Sequence, residues 1–240
     1  MIVSHKHRFV FVEFPQTGCS AVATELMENY SGERVLYKHA QYSEFVKQAN
    51  TDEKTYFSFS TIRNPMDIVV SKYFKYKTNH KNYVDKKIKH GRLRKYLMPG
   101  YEKRRRDFVV KKNASFETYF LKYHRLPYSA WSLVNHQDLD FIMHFERLTE
   151  DFDKALHQIG IKPVRPLPVF NKTNEKKKHF TEYYESLEVR KRAIYIFGPY
   201  MSAWDYAFPE NWHVPNNQIE SNTTYNFINF FRLKYWKYLR

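Results

Sequence analysis

The feature that most constrains this chain is a strand-like run that turns, through a proline and a glycine, into a helix-compatible segment. Residues 8–14 read Arg-Phe-Val-Phe-Val-Glu-Phe, and Pro15-Gln16-Thr17-Gly18 then leads to a stretch of helical character from Ser20 to Tyr30. The unit repeats with variations. A second short strand, Val35-Leu36-Tyr37, runs into Lys38-His39, and a third apolar run at 56–62 meets Arg63-Asn64-Pro65. Pro65 suits a first helical turn, after which Met66, Val69, Val70, Tyr73 and Phe74 recur at helical spacing. A fourth run, 140–145, precedes Thr149, Glu150 and Asp151 and a helical pattern to Ile159. Strands alternating with helices predict βαβ units, hence an α/β fold with a parallel sheet flanked by helices.

At 240 residues with 42% hydrophobic content the chain can bury a substantial core, and no repeat or second domain is read, so residues 1–240 are expected to form a single domain. Further helices are expected at 115–124 and 179–204. Two segments break the rhythm. Residues 75–106 hold thirteen Lys and Arg against two acids, so +11 of the formal +15 lies in what reads as an exposed basic insertion. Residues 210–240 form a basic, aromatic tail suited to peripheral contact with a membrane surface. Such a charge favours anionic partners without choosing among them. One cysteine, Cys19, excludes an internal disulfide framework and a structural zinc site and points to a reducing compartment. The first residues do not read as a signal peptide, and no stretch approaches the roughly 20 apolar residues of a membrane span. A cytoplasmic location is expected for the chain as it stands, and a Golgi lumen for one cut from a longer, anchored protein.

Two constellations carry chemistry. Phe14-Pro15-Gln16-Thr17-Gly18-Cys19-Ser20-Ala21 stands where a strand hands over to a helix, so that a glycine admits close backbone approach and helix-start amides attract phosphate. Thr17, Ser20 and Cys19 add short side chains. The second glycine and lysine of the nucleoside-triphosphate loop are missing. Arg63-Asn64-Pro65-Met66-Asp67 with Ser71 follows the third strand, offering a permanently charged fork and a hydroxyl. In a parallel sheet both constellations fall at the carboxyl ends of strands, where ligands bind.

Together, P-x-T-G-x-[ST] and R-N-P-x-D-x-x-x-S-x-Y resemble the PAPS-dependent sulfotransferase family, in particular its glycan-directed and bacterial-type members. HFERLTEDFDKALHQIGI at 144–161 and YYESLEVRKRAIYIFGPYMSAWDYAFP near the C-terminus are similar to later family segments, while the insertion and the tail are unmatched. The resemblance implies a P-loop nucleotide-kinase-like fold, 3′-phosphoadenosine 5′-phosphosulfate (PAPS) as donor and PAP as product, and it requires no metal. It gives the 5′ end of the donor to Gln16, Thr17, Gly18, Cys19, Ser20 and Ala21, the 3′-phosphate to Arg63 and Ser71, and a cofactor-closing role to FNKTN at 170–174 with Lys172. Most members carry lysine where this chain has Gln16. A nearby cation, Lys38 or Lys172, is expected to substitute, the alternative being a slow or inactive site. For the general base the expectation is His39, after the second strand, with Glu13 and Glu146 as carboxylate rivals. The acceptor is expected to be a carbohydrate hydroxyl, on an anionic glycan given the basic insertion. Two rivals stand beside this reading. A polyanion- or nucleic-acid-binding protein leaves the two-part motif unexplained, and a phosphoryl-transferring kinase lacks its lysine and magnesium ligands.

Overall fold

The computed structural model describes residues 1–78, 94–127, 138–168, 176–215 and 219–238. They group into two compact units, residues 1–64 with 133–172, and residues 65–132 with 173–240.

The first unit is a five-stranded sheet with helices on its faces. Its strands are β1 (Ile2–Ser4), β2 (Phe9–Val12), β3 (Glu33–Arg34), β4 (Phe57–Ile62) and β5 (Phe141–His144), in the order β3-β1-β2-β4-β5. β2, β4 and β5 run parallel, as expected, but β1 is antiparallel to both neighbours, so the sheet is mixed. Strand periodicity sorts the side chains. Phe9, Phe11 and Phe59 join Val22, Leu26, Phe152 and Leu156, from α1 (Cys19–Asn29) and a later helix (Leu148–Gln158), in one buried cluster. Val3, Val10 and Val12 face the other way and pack with Phe45 of α2 (Tyr42–Gln48). The second strand was expected at Val35–Tyr37 and lies instead at Glu33–Arg34, where Arg34 pairs with Ile2 while Val35 and Tyr37 stay exposed. Asp140 fixes the start of β5, its Oδ2 accepting from the Ser58 amide at 2.7 Å and the Ser58 hydroxyl at 2.8 Å.

The second unit is helical. α3 (Pro65–Thr78) is followed by α4 (Arg94–Lys111) and α5 (Phe116–Tyr123). With the Leu148–Gln158 helix of the first unit numbered α6, the remaining helices are α7 (Leu187–Ala203) and α8 (Ile219–Tyr238). Their core is aromatic: Tyr73, Tyr76, Tyr119, Phe120, Tyr184 and Phe197 are buried together. Of the basic insertion, residues 79–93 lie outside the described residues and 94–106 belong to α4, where the expectation of a wholly exposed segment fails. Glu102 and Arg105 are buried, Glu102 accepting from the Tyr76 hydroxyl and the Arg105 guanidinium lying 4.1 Å from the Tyr101 ring centre and 4.9 Å from that of Tyr123. The tail folds as α8. Its first turns dock through Ser221, whose hydroxyl donates to the Tyr195 carbonyl at 2.5 Å, whereas Phe227, Phe230 and Phe231 remain exposed. No helix among the described residues is long and apolar enough to cross a membrane.

Candidate active site

The carboxyl ends of β2, β4 and β5 converge in the first unit, the rim at which parallel sheets bind ligands. After β2 the chain passes through two left-handed residues, Gln16 at φ 71° and Gly18 at φ 80°, before α1 begins at Cys19. Gly18 is required twice over. Its φ favours glycine, and a Cβ there would stand 2.7 Å from Leu148 Cδ2 and 3.1 Å from Phe145 Cδ2. No side chain caps the helix at Gly18, and the Ala21 amide turns back to the Gly18 carbonyl at 2.9 Å, which leaves Cys19 and Ser20 as first-turn amides without an intrahelical acceptor. Such a helix start favours an anion.

The loop side chains divide their labour. Thr17 is fully buried and faces inward: its hydroxyl donates to the Phe14 carbonyl at 2.8 Å, so the 2.5 Å contact with Thr61 must have Thr61 as donor. It pins the loop to β4 and is not a ligand donor of the kind the sequence suggested. Cys19 is also buried, and desolvation pushes its thiol up to about 11, so it stays a neutral thiol at ordinary pH. Ser20 is half-exposed and accepts from Lys38 Nζ at 2.8 Å, so it can itself donate onward. Gln16 Oε1 is buried with no hydrogen-bond partner among the described residues.

Lys38 and His39 stand beside this loop. His39 adopts the left-handed conformation at φ 68°, and its Nδ1 lies 3.0 Å from the Glu13 carbonyl. A carbonyl only accepts, so Nδ1 carries the hydrogen and Nε2 the lone pair, the tautomer a general base needs. Burial is the main cause that holds the imidazole below its ordinary value, with Lys38 acting in the same direction, so the ring is neutral at pH 7. Glu13 has another role than that of a base. Burial, the largest single influence, pushes its carboxyl up, but the hydrogen bonds and charges of Arg34 and the Met1 amine together outweigh it and hold the group below the usual range, and Arg34 grips it with both terminal nitrogens. A carboxylate so engaged is a poor proton acceptor. Glu13 contributes through its backbone, as the seat of His39.

From the end of β4, Arg63 donates from Nη1 to the Gln16 carbonyl at 3.1 Å and lies 4.1 Å from the centre of the Phe145 ring. The Glu146 carboxylate accepts from the Asn64 amide at 2.8 Å, which ties the ends of β5 and β4 together. Ser71 is buried on α3 in the second unit, where the motif's Asp67 accepts from Lys176 at 2.5 Å. Lys172 lies outside the described residues. The structure therefore gathers Gln16, Thr17, Gly18, Cys19, Ser20, Ala21, Lys38, His39, Glu13 and Arg63 within one unit. Sequence reasoning missed Arg34, Phe145 and Leu148, which hold, support and confine the others. Nothing local to those residues distinguishes them; only the fold brings them to the rim.

No curated protein matches this chain, and no solved structure does. The model of the Sulfotransferase family matches residues 1–206, and its α/β architecture is the one described above. Spanning the loop after β2, the Lys38-His39 segment and the arginine after β4, that match identifies the chain as a member of the Sulfotransferase family.

Proposed function

We propose that the protein transfers a sulfuryl group from PAPS to a hydroxyl of a carbohydrate. The observation that carries this reading is the juxtaposition of an anion-binding loop with a neutral imidazole whose tautomer is fixed. PAPS supplies the sulfuryl group and a phosphate that leaves from it. The left-handed turn at Gly18 and the first-turn amides of α1 suit the phosphosulfate end. Arg63 suits the 3′-phosphate; the family resemblance gives that role to Ser71 as well, and a donor-closing role to Lys172. His39 Nε2 takes the proton of the attacking hydroxyl, and the loop amides stabilise the charge that develops opposite. A basic surface on α4, with Lys103 and Arg104 exposed, favours an anionic glycan as acceptor over a neutral one.

The deciding experiment pairs binding with transfer. Calorimetric titration with PAP should show saturable binding that Arg63→Ala weakens about 10- to 100-fold, the worth of a charge-assisted phosphate contact. Labelled PAPS offered with a panel of sulfated, uronic-acid and neutral oligosaccharides should label one class by transfer. Absence of PAP binding to the folded wild type would dispose of the donor assignment; binding without transfer to any glycan would dispose of the acceptor.

A further inference from the structure

The loop from Phe14 to Ala21 contains no cationic residue, yet the oxygen that leaves in sulfuryl transfer gathers negative charge. A glutamine dipole is a weak answer to a full charge, and Gln16 Oε1, a buried acceptor, adds a partial charge of the wrong sign. The described structure brings a cation to the loop from elsewhere. Lys38, from the segment after β3, lies with Nζ 2.8 Å from the Ser20 hydroxyl, beside the first-turn amides of α1. The placement is anchored by the next residue, because His39 is held in a left-handed conformation by its hydrogen bond to the Glu13 carbonyl.

We propose that Lys38 is the catalytic cation of this site, its ammonium lying against the departing phosphate oxygen beside Ser20. The proposal rests on the sulfuryl-transfer reading and names the residue that completes it. In the step, a bond forms between the acceptor oxygen and sulfur while the bond between sulfur and the bridging oxygen breaks. The electron pair of the broken bond stays on that oxygen, where the Lys38 ammonium balances it, and the hydroxyl proton passes to His39 Nε2. The same ammonium has a second consequence. His39 faces the Glu13 carboxylate, which raises its proton affinity, and the Met1 amine and Lys38, which lower it. One lysine thereby serves both partners of the transfer, stabilising the leaving group and holding the base ready.

Three measurements on the full chain test this. PAP titration should show about 10- to 100-fold weaker binding in Lys38→Ala, and Lys38→Gln, which keeps a polar side chain, should weaken binding likewise. Gln16→Lys, exchanging one left-handed side chain for another, should restore PAP binding and transfer in the Lys38→Ala background. NMR titration of the imidazole without donor, assigned against His39→Gln, should show the His39 midpoint higher in Lys38→Ala, moving the acid limb of the rate profile to higher pH. A lysine that only braces Ser20 would raise that midpoint on removal just the same, but Gln16→Lys would not repair its loss. Lys38→Ala that binds PAP and transfers like wild type, or a loss that Gln16→Lys leaves unrepaired, overturns the proposal while the donor reading stands. Wild type that ignores PAP overturns both.

Discussion

Gly18 is the residue on which the loop turns, and its replacement separates conformational strain from chemistry. Gly18→Ala keeps every polar group but forces an L side chain to φ 80° and pushes a methyl against Leu148. Leu148 Cδ2 is the end of a flexible side chain and can yield, so the left-handed backbone is the larger cost, about 1–2 kcal/mol. A urea unfolding midpoint lowered accordingly, with PAP affinity reduced because the strained turn displaces the first-turn amides of α1, is the expected result. His39 is tested differently. Its side chain supplies one lone pair, and His39→Ala should leave PAP affinity near wild type while turnover falls roughly 10²- to 10⁴-fold. In wild type the folded imidazole sits below 6.5, so it is neutral above that value and the rate falls only as pH drops through the lowered midpoint. Rates across pH 4–8 check the sign: a profile falling on the alkaline side instead would require His39 to act as its protonated form.

Elements explain why so much of this rim could be read in advance and why parts of it could not. The loop, Arg63 and the helix starts near Cys19, Pro65, Phe116 and Leu148 are local signals: apolar periodicity closed by Pro or Gly is legible wherever it occurs. β1 is only three residues long and owes its existence to pairing between β2 and β3, so no window of sequence contains its cause. β3 went wrong for a related reason. Val35 and Tyr37 have the higher strand propensity, but pairing with Ile2 and the grip of Arg34 on Glu13 decide the register. Charge counting failed at Arg105 because it cannot see a guanidinium between two tyrosine rings. The start of β5 is held by a single side chain, Asp140. Asp140→Ala removes both hydrogen bonds to Ser58 and leaves a strand amide without its acceptor, which should cost about 1–3 kcal/mol. Because β5 delivers Phe145 beneath Arg63, PAP affinity should fall with it, measurably by calorimetry on the folded fraction.

At the scale of the whole molecule the governing quantity is charge. A formal +15 makes encounter with a polyanion sensitive to screening, and the exposed part of α4 is where reversal can be tried without damage to the core. Lys103→Glu with Arg104→Glu spares the buried Arg105, and it should raise the apparent KM for an anionic polysaccharide while PAP affinity is kept. Added salt should raise KM in wild type and have a smaller effect in the variant; initial rates at two ionic strengths supply the comparison, and superimposable curves would point to a neutral acceptor. The chain also carries its own reporter. Cys19 is its single thiol, it is 3% exposed, and it is the first residue of α1, where the loop after β2 ends. A thiol reagent can label it only in molecules whose loop has opened, so the labelling rate counts those openings without any engineered probe. A ligand that closes on the loop must slow that rate in proportion to its occupancy, and PAP protection of Cys19 would measure donor binding in crude fractions, before any acceptor is known.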